Sequence, residues 1–270
     1  MKVIIIADME GVSGITVWEQ VIGGQAMYEE GRRLYTAEIN AAIKGARQAG
    51  AEEVLVVDCH GAGGAWNFNS LIPEKLDHDC DWVSHHPWSK YSDLLEQGYD
   101  AAVLIGMHSK AGTPNGVMAH TISTTGWVDL RFNETSVGEI GIHAAVCGHY
   151  KVPIVAVSGD AAACHEASQL LGSCLMLIPV KTGLSLHSAR NVSPLRAQEL
   201  IQAQVRQALL SKTWPPPFIP SRPTRITVRA SSTETVSKLR LRQEIDIVDP
   251  ITVVSRGDTW IDAWNQIWDQ

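Results

Sequence analysis

Long apolar runs are missing from this chain. None approaches the ~18 residues that a membrane span needs, so no transmembrane segment is expected. Basic tracts are missing too. Lysine and arginine number 22 against 29 aspartates and glutamates, the net charge is -7, and the basic footprint of a nucleic-acid binder is absent. Cysteine is scarce: Cys59, Cys80, Cys147, Cys164 and Cys174 form no C-x-x-C pair, and an odd number cannot all pair within one chain. Reduced, mostly buried thiols in a cytoplasmic protein are the natural expectation. The opening residues imitate a signal peptide only weakly, because the apolar run is short and Asp8 and Glu10 interrupt it. There is no P-loop, no G-x-S-x-G elbow and no H-E-x-x-H. Gly61-Ala62-Gly63-Gly64 is not a G-x-G-x-x-G fingerprint, and it follows the second strand rather than the first. Nucleotide binding and serine or cysteine nucleophiles therefore have little support.

What is present is an ordinary globular composition, 45% hydrophobic in 270 residues, enough to bury a full core. Apolar runs of strand length fall near residues 2–8, 53–59, 101–107 and 152–158. Between the first two, Leu34, Ile39, Ala42, Ile43 and Ala46 recur at helical spacing, with Gly50 as the stop. Ser136 to His149 and Asp160 to Leu171 also read as helices, and Ser193-Pro194 opens another that runs to about Leu210. The alternation predicts an α/β fold, a largely parallel or mixed sheet flanked by helices. Trp214-Pro215-Pro216-Pro217 breaks it, since three prolines continue neither a helix nor a central strand. This divides the chain into a catalytic α/β domain, residues 1–213, and a smaller C-terminal α+β subdomain, residues 214–270. The latter would hold strands at Arg225–Arg229, Ile245–Val248 and Ile251–Val254, then a helix from Asp258 with Trp260, Trp264 and Trp268 on one face. That stripe reads as packing against the main domain, with an oligomer contact as its rival.

The strand ends carry the chemistry. The first run stops at Asp8-Met9-Glu10, the second at Asp58-Cys59-His60, and the third at His108. Side chains two apart in a strand share a face, so Asp8 with Glu10, and Asp58 with His60, each face one point. Cys59 would then point away. Ligands of open parallel sheets gather beyond the carboxyl ends of the strands. Carboxylates with imidazoles suit a divalent cation such as zinc, and a carboxylate can bridge two. Without metal, clustered carboxylates would repel and one or more would titrate upward. Asp160 ends the fourth run but reads as a helix N-cap. His120 closes a Gly-Pro-Asn-Gly loop after His108 and is a candidate for the site. His143 is a weaker candidate one turn from Glu139; His85 and His86 read as a surface loop, and His78, His165 and His187 as ordinary surface residues.

Five motifs occur in order: Asp8-Met9-Glu10-Gly11-Val12-Ser13-Gly14, Asp58-Cys59-His60, Gly106-Met107-His108, Gly116-Val117-Met118-Ala119-His120 and Val137-Gly138-Glu139-Ile140-Gly141. Together they resemble the DppA-like D-aminopeptidases, self-compartmentalising zinc peptidases, with a looser match through Val180-Lys181-Thr182 and Ser193-Pro194. The resemblance implies two zinc ions per chain held by Asp8, Glu10, His60, His108 and Glu139, with Asp8 bridging. It also implies His120 as the catalytic histidine and a ring-stacked homodecamer enclosing the sites. Glu139 enters through the resemblance alone. The expected activity is hydrolysis of N-terminal residues from short peptides by metal-activated water, with Asp58 orienting a ligand histidine. The rivals are a binuclear amidohydrolase or phosphoesterase acting on other substrates and a metal-dependent binding protein without turnover. The ligands leave the handedness of the substrate open, because that depends on pocket shape.

Overall fold

The computed structural model describes residues 1–84, 91–211, 213–239 and 245–268. In chain order, β1 (Lys2–Ala7) leads through a short 3-10 turn at Trp18–Gln20 to α1 (Tyr28–Gln48), β2 (Glu53–Asp58), β3 (Asp81–Val83) and β4 (Ala101–Met107). A hairpin of β5 (Trp127–Phe132) and β6 (Thr135–Val137) precedes α2 (Glu139–His149), β7 (Ile154–Asp160) and α3 (Ala161–Leu171). A second hairpin, β8 (Met176–Ser185) and β9 (Ser188–Asn191), precedes α4 (Pro194–Leu210). Then come β10 (Thr224–Ala230), α5 (Thr233–Leu239), β11 (Asp246–Asp249), β12 (Thr252–Gly257) and α6 (Trp260–Ile267).

The larger sheet runs β3-β2-β1-β4-β7-β8-β9 and is parallel except for β9. Residues of β1 alternate between two cores: Val3, Ile5 and Ala7 pack with α1 and α4, while Ile4 and Ile6 pack with α2, the second sheet and α6. Covered on both faces, the strand reads as an unbroken apolar run. The α1 stripe of Tyr35, Ile39, Ala42, Ile43 and Ala46 is buried, at roughly 1.5–3 kcal/mol for each large side chain. Gly50, at φ 89°, lets the chain leave α1 in the left-handed conformation. The chain moves outward from β1 through β2 and β3, then returns on the other side as β4. The switch point of the sheet therefore lies between β1 and β4, where a crevice opens beyond the strand ends. Ala7 pairs with both Asp58 and Ile105, so the segments after β1, β2 and β4 emerge side by side.

The smaller sheet is antiparallel, in the order β11-β12-β10-β5-β6. Ile226 faces Phe132 and Val228 faces Leu130 across β10 and β5. Strands on both sides of the triple proline thus share one sheet, and the 213/214 boundary does not separate the two sheets. The expected C-terminal helix begins at Trp260 rather than Asp258, because Thr259 caps it and Asp262 returns the bond to the Thr259 N–H at 3.0 Å. Its Trp260 and Trp264 lie edge-on to Phe132 and Trp127 of β5, at 5.5 and 6.5 Å. The helix expected from Ser136 begins at Glu139: Ser136 and Val137 pair within β6, and Gly138 makes the turn. Asp160 acts as the expected N-cap of α3, accepting the Ala163 N–H at 2.6 Å. Among the described residues, no helix is long and apolar enough to cross a membrane.

Candidate metal centre

Asp8 directly follows β1, and its N–H donates to the Ile105 carbonyl at 2.8 Å. Gly106, at φ 72°, permits this approach, since a Cβ there would lie 2.0 Å from the Asp8 carbonyl oxygen. β1 ends at Ala7, so Asp8 and Glu10 are aimed by a turn and not by strand alternation; the Met9 N–H closes on Asp8 Oδ1 at 2.8 Å. His60 lies two residues beyond β2, His108 one beyond β4, His120 at the end of the following loop, and Glu139 opens α2. These six residues come together. His60 Nδ1 is 3.2 Å from both Asp8 Oδ1 and Glu10 Oε2. His108 Nε2 is 3.2 Å from Asp8 Oδ2 and 3.4 Å from Glu139 Oε1. The His120 ring stacks on His108 at 4.0 Å, with its Nε2 3.9 Å from Glu139 Oε1.

Each imidazole is fastened by its other nitrogen to a main-chain carbonyl. His60 Nε2 donates to Val21 at 2.8 Å, His108 Nδ1 to Ser109 at 2.9 Å, and His120 Nδ1 to Met118 at 2.8 Å. A carbonyl only accepts, so that nitrogen carries the proton and its opposite faces the cluster. Asp58 does not orient a ring, contrary to expectation. Its Oδ1 accepts the His60 N–H at 3.1 Å and the Tyr35 hydroxyl at 2.9 Å, and its Oδ2 accepts the N–H groups of Ser70 and Leu71. It therefore anchors the main chain under His60. Asp58 ends β2 facing α1, whereas His60 lies past the strand, so the two do not share a face.

Burial works to raise the Asp8 carboxyl, but the His108 and His60 imidazoles outweigh it and hold the group well below the usual range. Glu139 is likewise lowered: His108 and then His120 overcome the effect of burial. Burial opposes charge on His60 and His108, yet Glu10, Glu139 and Asp8 raise both well above an ordinary histidine. The expected upward titration of these two carboxylates does not occur, because imidazoles sit between them. Asp8 Oδ2, Glu10 Oε2 and His108 Nε2 are nonetheless buried without a hydrogen bond. Buried polar atoms left unpaired are costly, and these converge on one space. Possible donor atoms of Asp8, Glu10 and His108 lie within 4.8 Å of one another, as do those of His108, His120 and Glu139. Mixed carboxylate and imidazole donors at this spacing fit zinc.

The cluster opens into a cavity of about 810 Å3. Its far wall is apolar, with Ile142, Val146, Ile261, Trp264 and Trp268. Trp18 meets the His120 ring edge-on at 5.6 Å. His143, the weaker candidate, is buried in this lining, and burial lowers its pKa. Cys59 also lines the cavity instead of pointing away, because it lies past the end of β2. Burial pushes its thiol well above the ordinary range, which leaves it no thiolate to react. His78, His165 and His187 are exposed as expected, and His85 and His86 lie outside the described residues.

Sequence reasoning missed three features. The anchoring carbonyls carry no side-chain signal at all. The tryptophan wall was visible as a stripe, but nothing placed it beside the strand ends. Lys181 was readable as a lone cation in the apolar strand β8, where burial demands acceptors.

A crevice at the switch point of a parallel sheet, caged by buried carboxylates and imidazoles, defines the class: a metal-dependent hydrolase. The family model described as D-aminopeptidase, peptidase family M55, matches residues 1–268. A D-aminopeptidase of Bacillus subtilis strain 168 is 35% identical over 222 residues, covering 82% of this chain and 78% of that one. The solved structure of the Zn-dependent D-aminopeptidase DppA from Bacillus subtilis, described as a self-compartmentalizing protease, superposes with a TM-score of 0.89. It is 29% identical, and the match covers 98% of this chain and 95% of that one. The chain belongs to the D-aminopeptidase family, and it is a metal-dependent aminopeptidase.

Proposed function

We propose that this chain binds two zinc ions and removes N-terminal residues, D-residues by family, from short peptides. Asp8, Glu10 and His60 would hold one ion, and Asp8, His108 and Glu139 the other. The observation that carries this reading is the orientation of Asp8. Its Oδ1 lies with His60 and its Oδ2 with His108, 3.2 Å each, so one carboxylate faces two separate donor groups. When bound, such ions supply Lewis acidity toward a carbonyl oxygen and acidify water.

His120 is the catalytic residue of this proposal. Its Nδ1 keeps a proton on Met118, which leaves Nε2 to take a proton on the cavity side and pass it to the departing amine. Stacking on His108 and the edge of Trp18 fix the ring without consuming Nε2. Glu139 serves twice: its Oε1 also accepts the Ile122 N–H at 2.7 Å, which locks the carboxylate toward His108. The apolar wall holds the substrate's side chain and excludes water.

No arginine or lysine occurs among the described residues lining the cavity, which weighs against a phosphoesterase needing a cationic clamp. Lys110 is directed elsewhere, onto the Ser136 carbonyl and hydroxyl at 3.1 and 2.9 Å. The description of the relative as a self-compartmentalizing protease supports a homo-oligomer here; the form proposed for this chain is a homodecamer around a closed chamber. The five free thiols fit a reducing compartment, the cytoplasm.

The test is release of free amino acids from matched L- and D-peptides and aminoacyl-p-nitroanilides by zinc-reconstituted protein, with metal counted per chain. Turnover with about two zinc ions per chain is expected. Full binding of zinc without hydrolysis across the panel would overturn the reading.

A further inference from the structure

The donor atoms of the centre sit on four separate segments, three of them outside regular elements and the fourth, with Glu139, at the start of α2. Asp8 and Glu10 lie in the turn after β1, His60 follows β2, His108 follows β4, and Glu139 follows the β6 strand. Something must set the positions of these segments, and two charged side chains, one buried and one half-buried, hold them by their main chain.

Lys181 of β8 is one. It is 2% exposed, and its ammonium makes three hydrogen bonds, to the carbonyls of Glu10 at 2.5 Å, Val12 at 2.9 Å and Ile15 at 2.5 Å. An ammonium has three protons, and here all three go to the one turn that carries Glu10. β8 is separated from β1 by β4 and β7, so this tether reaches across the crevice. On the other side, Glu38 of α1 accepts the Ser13 N–H at 2.9 Å. The turn is thus pinned from both flanks.

Glu166 of α3 is the other. Its Oε2 accepts the Lys110 N–H at 2.8 Å, two residues after His108. Its Oε1 accepts the Gly138 N–H at 3.1 Å, one residue before Glu139. A Cβ on Gly138 would lie 2.8 Å from both Glu166 Oε1 and the Lys110 Cβ, so the three segments are in direct contact. One carboxylate therefore brackets the two main-chain segments that present His108 and Glu139.

We propose that Lys181 and Glu166 are positioning residues, one for each half of the metal centre: Lys181 sets the half formed by Asp8, Glu10 and His60, and Glu166 sets the half formed by Asp8, His108 and Glu139. Neither reaches the donor atoms; both act through the main chain. The division rests on the two-ion reading above.

The experiment is zinc binding by competition with a chromophoric chelator, on wild type and on the Lys181→Met and Glu166→Gln variants of the full chain. His60→Ala and Glu139→Gln serve as references that show which binding step belongs to which half. Lys181→Met should weaken the step that His60→Ala abolishes by about tenfold or more and leave the other within about twofold, the size seen when a group supporting a metal ligand is lost. Glu166→Gln should do the reverse. Each variant then reports its own fold through the step it spares, which a general loss of structure would not do. Glu166 is half-buried at the edge of a surface hollow and Gln keeps its shape, so Glu166→Gln is the variant that carries the test should Lys181→Met fail to fold. Unchanged affinities in Glu166→Gln, or equal weakening of both steps in either folded variant, would overturn the proposal. A wild-type protein that binds only one ion refutes the two-ion reading instead.

Discussion

Binding of zinc to the centre should expel protons, and the number follows from the geometry. In the metal-free chain, His60 and His108 are held well above an ordinary histidine by Glu10, Glu139 and Asp8, so both are cationic at neutral pH. One nitrogen of each is committed to a carbonyl, Val21 or Ser109, and keeps its proton throughout. A metal needs the lone pair of the other nitrogen, so that proton must leave. Asp8 and Glu139 are lowered, are already ionised, and release nothing. The imidazoles therefore yield about two protons per chain, one for each half of the centre. The sign is fixed. A raised histidine pKa makes the proton a competitor at neutral pH, so zinc affinity rises with pH until the raised pKa is passed. Below it the slope is about tenfold per pH unit for each ion, or roughly 1.4 kcal/mol. Calorimetric titration in buffers of different ionisation enthalpy counts the protons directly. Release of less than one proton per chain, or affinity flat between pH 6 and 7, would refute the claim that these imidazoles are cationic placeholders for the metal.

Three further outcomes test the site. His120→Ala should retain both ions by elemental analysis while kcat falls about 10²- to 10⁴-fold, as for loss of a general acid–base group; near-full turnover on every substrate would remove its assigned role. Asp8→Ala should fail to hold either ion, whereas His60→Ala should lose one, and native mass spectrometry distinguishes these results. Trp268→Ala strips part of the apolar wall from a half-buried position, so KM for peptides with bulky apolar residues should rise severalfold, corresponding to about 1 kcal/mol of lost burial. A KM change equal for glycyl peptides would show that the wall does not hold the side chain.

β1, β2, β4 and β7 were readable because central parallel strands are apolar throughout, and the metal residues follow three of them directly. β5 and β6 were not: Trp127–Phe132 alternates, and its pairing partner β10 lies some ninety residues away, beyond three prolines. The start of α2 was placed too early because Ser136 and Val137 fit a helical pattern locally, and only pairing with Arg131 and Leu130 makes them strand. Asp58 was assigned to a ring because strand alternation put it on the face of His60. The chain leaves the strand before His60, and the carboxylate turns to Tyr35 instead. Glu139 came only through family likeness, since a glutamate opening a helix is commonplace. The lone lysine of β8 was visible in the sequence, but neither Lys181 nor Glu166 could be tied to the site, because their partners are main-chain atoms, which leave no trace in residue type.

The carbonyl anchors of the three histidines carry an evolutionary corollary. Every residue offers the same carbonyl oxygen, so the imidazoles themselves place no demand on the side chains at positions 21, 109 and 118; those side chains answer to the core, where Val21, Ser109 and Met118 are buried. Insertions, deletions or prolines that bend the path of the backbone there are not neutral, however mild they look in an alignment. Relatives of this enzyme should thus exchange one core-compatible residue for another at these three places while preserving loop length around them.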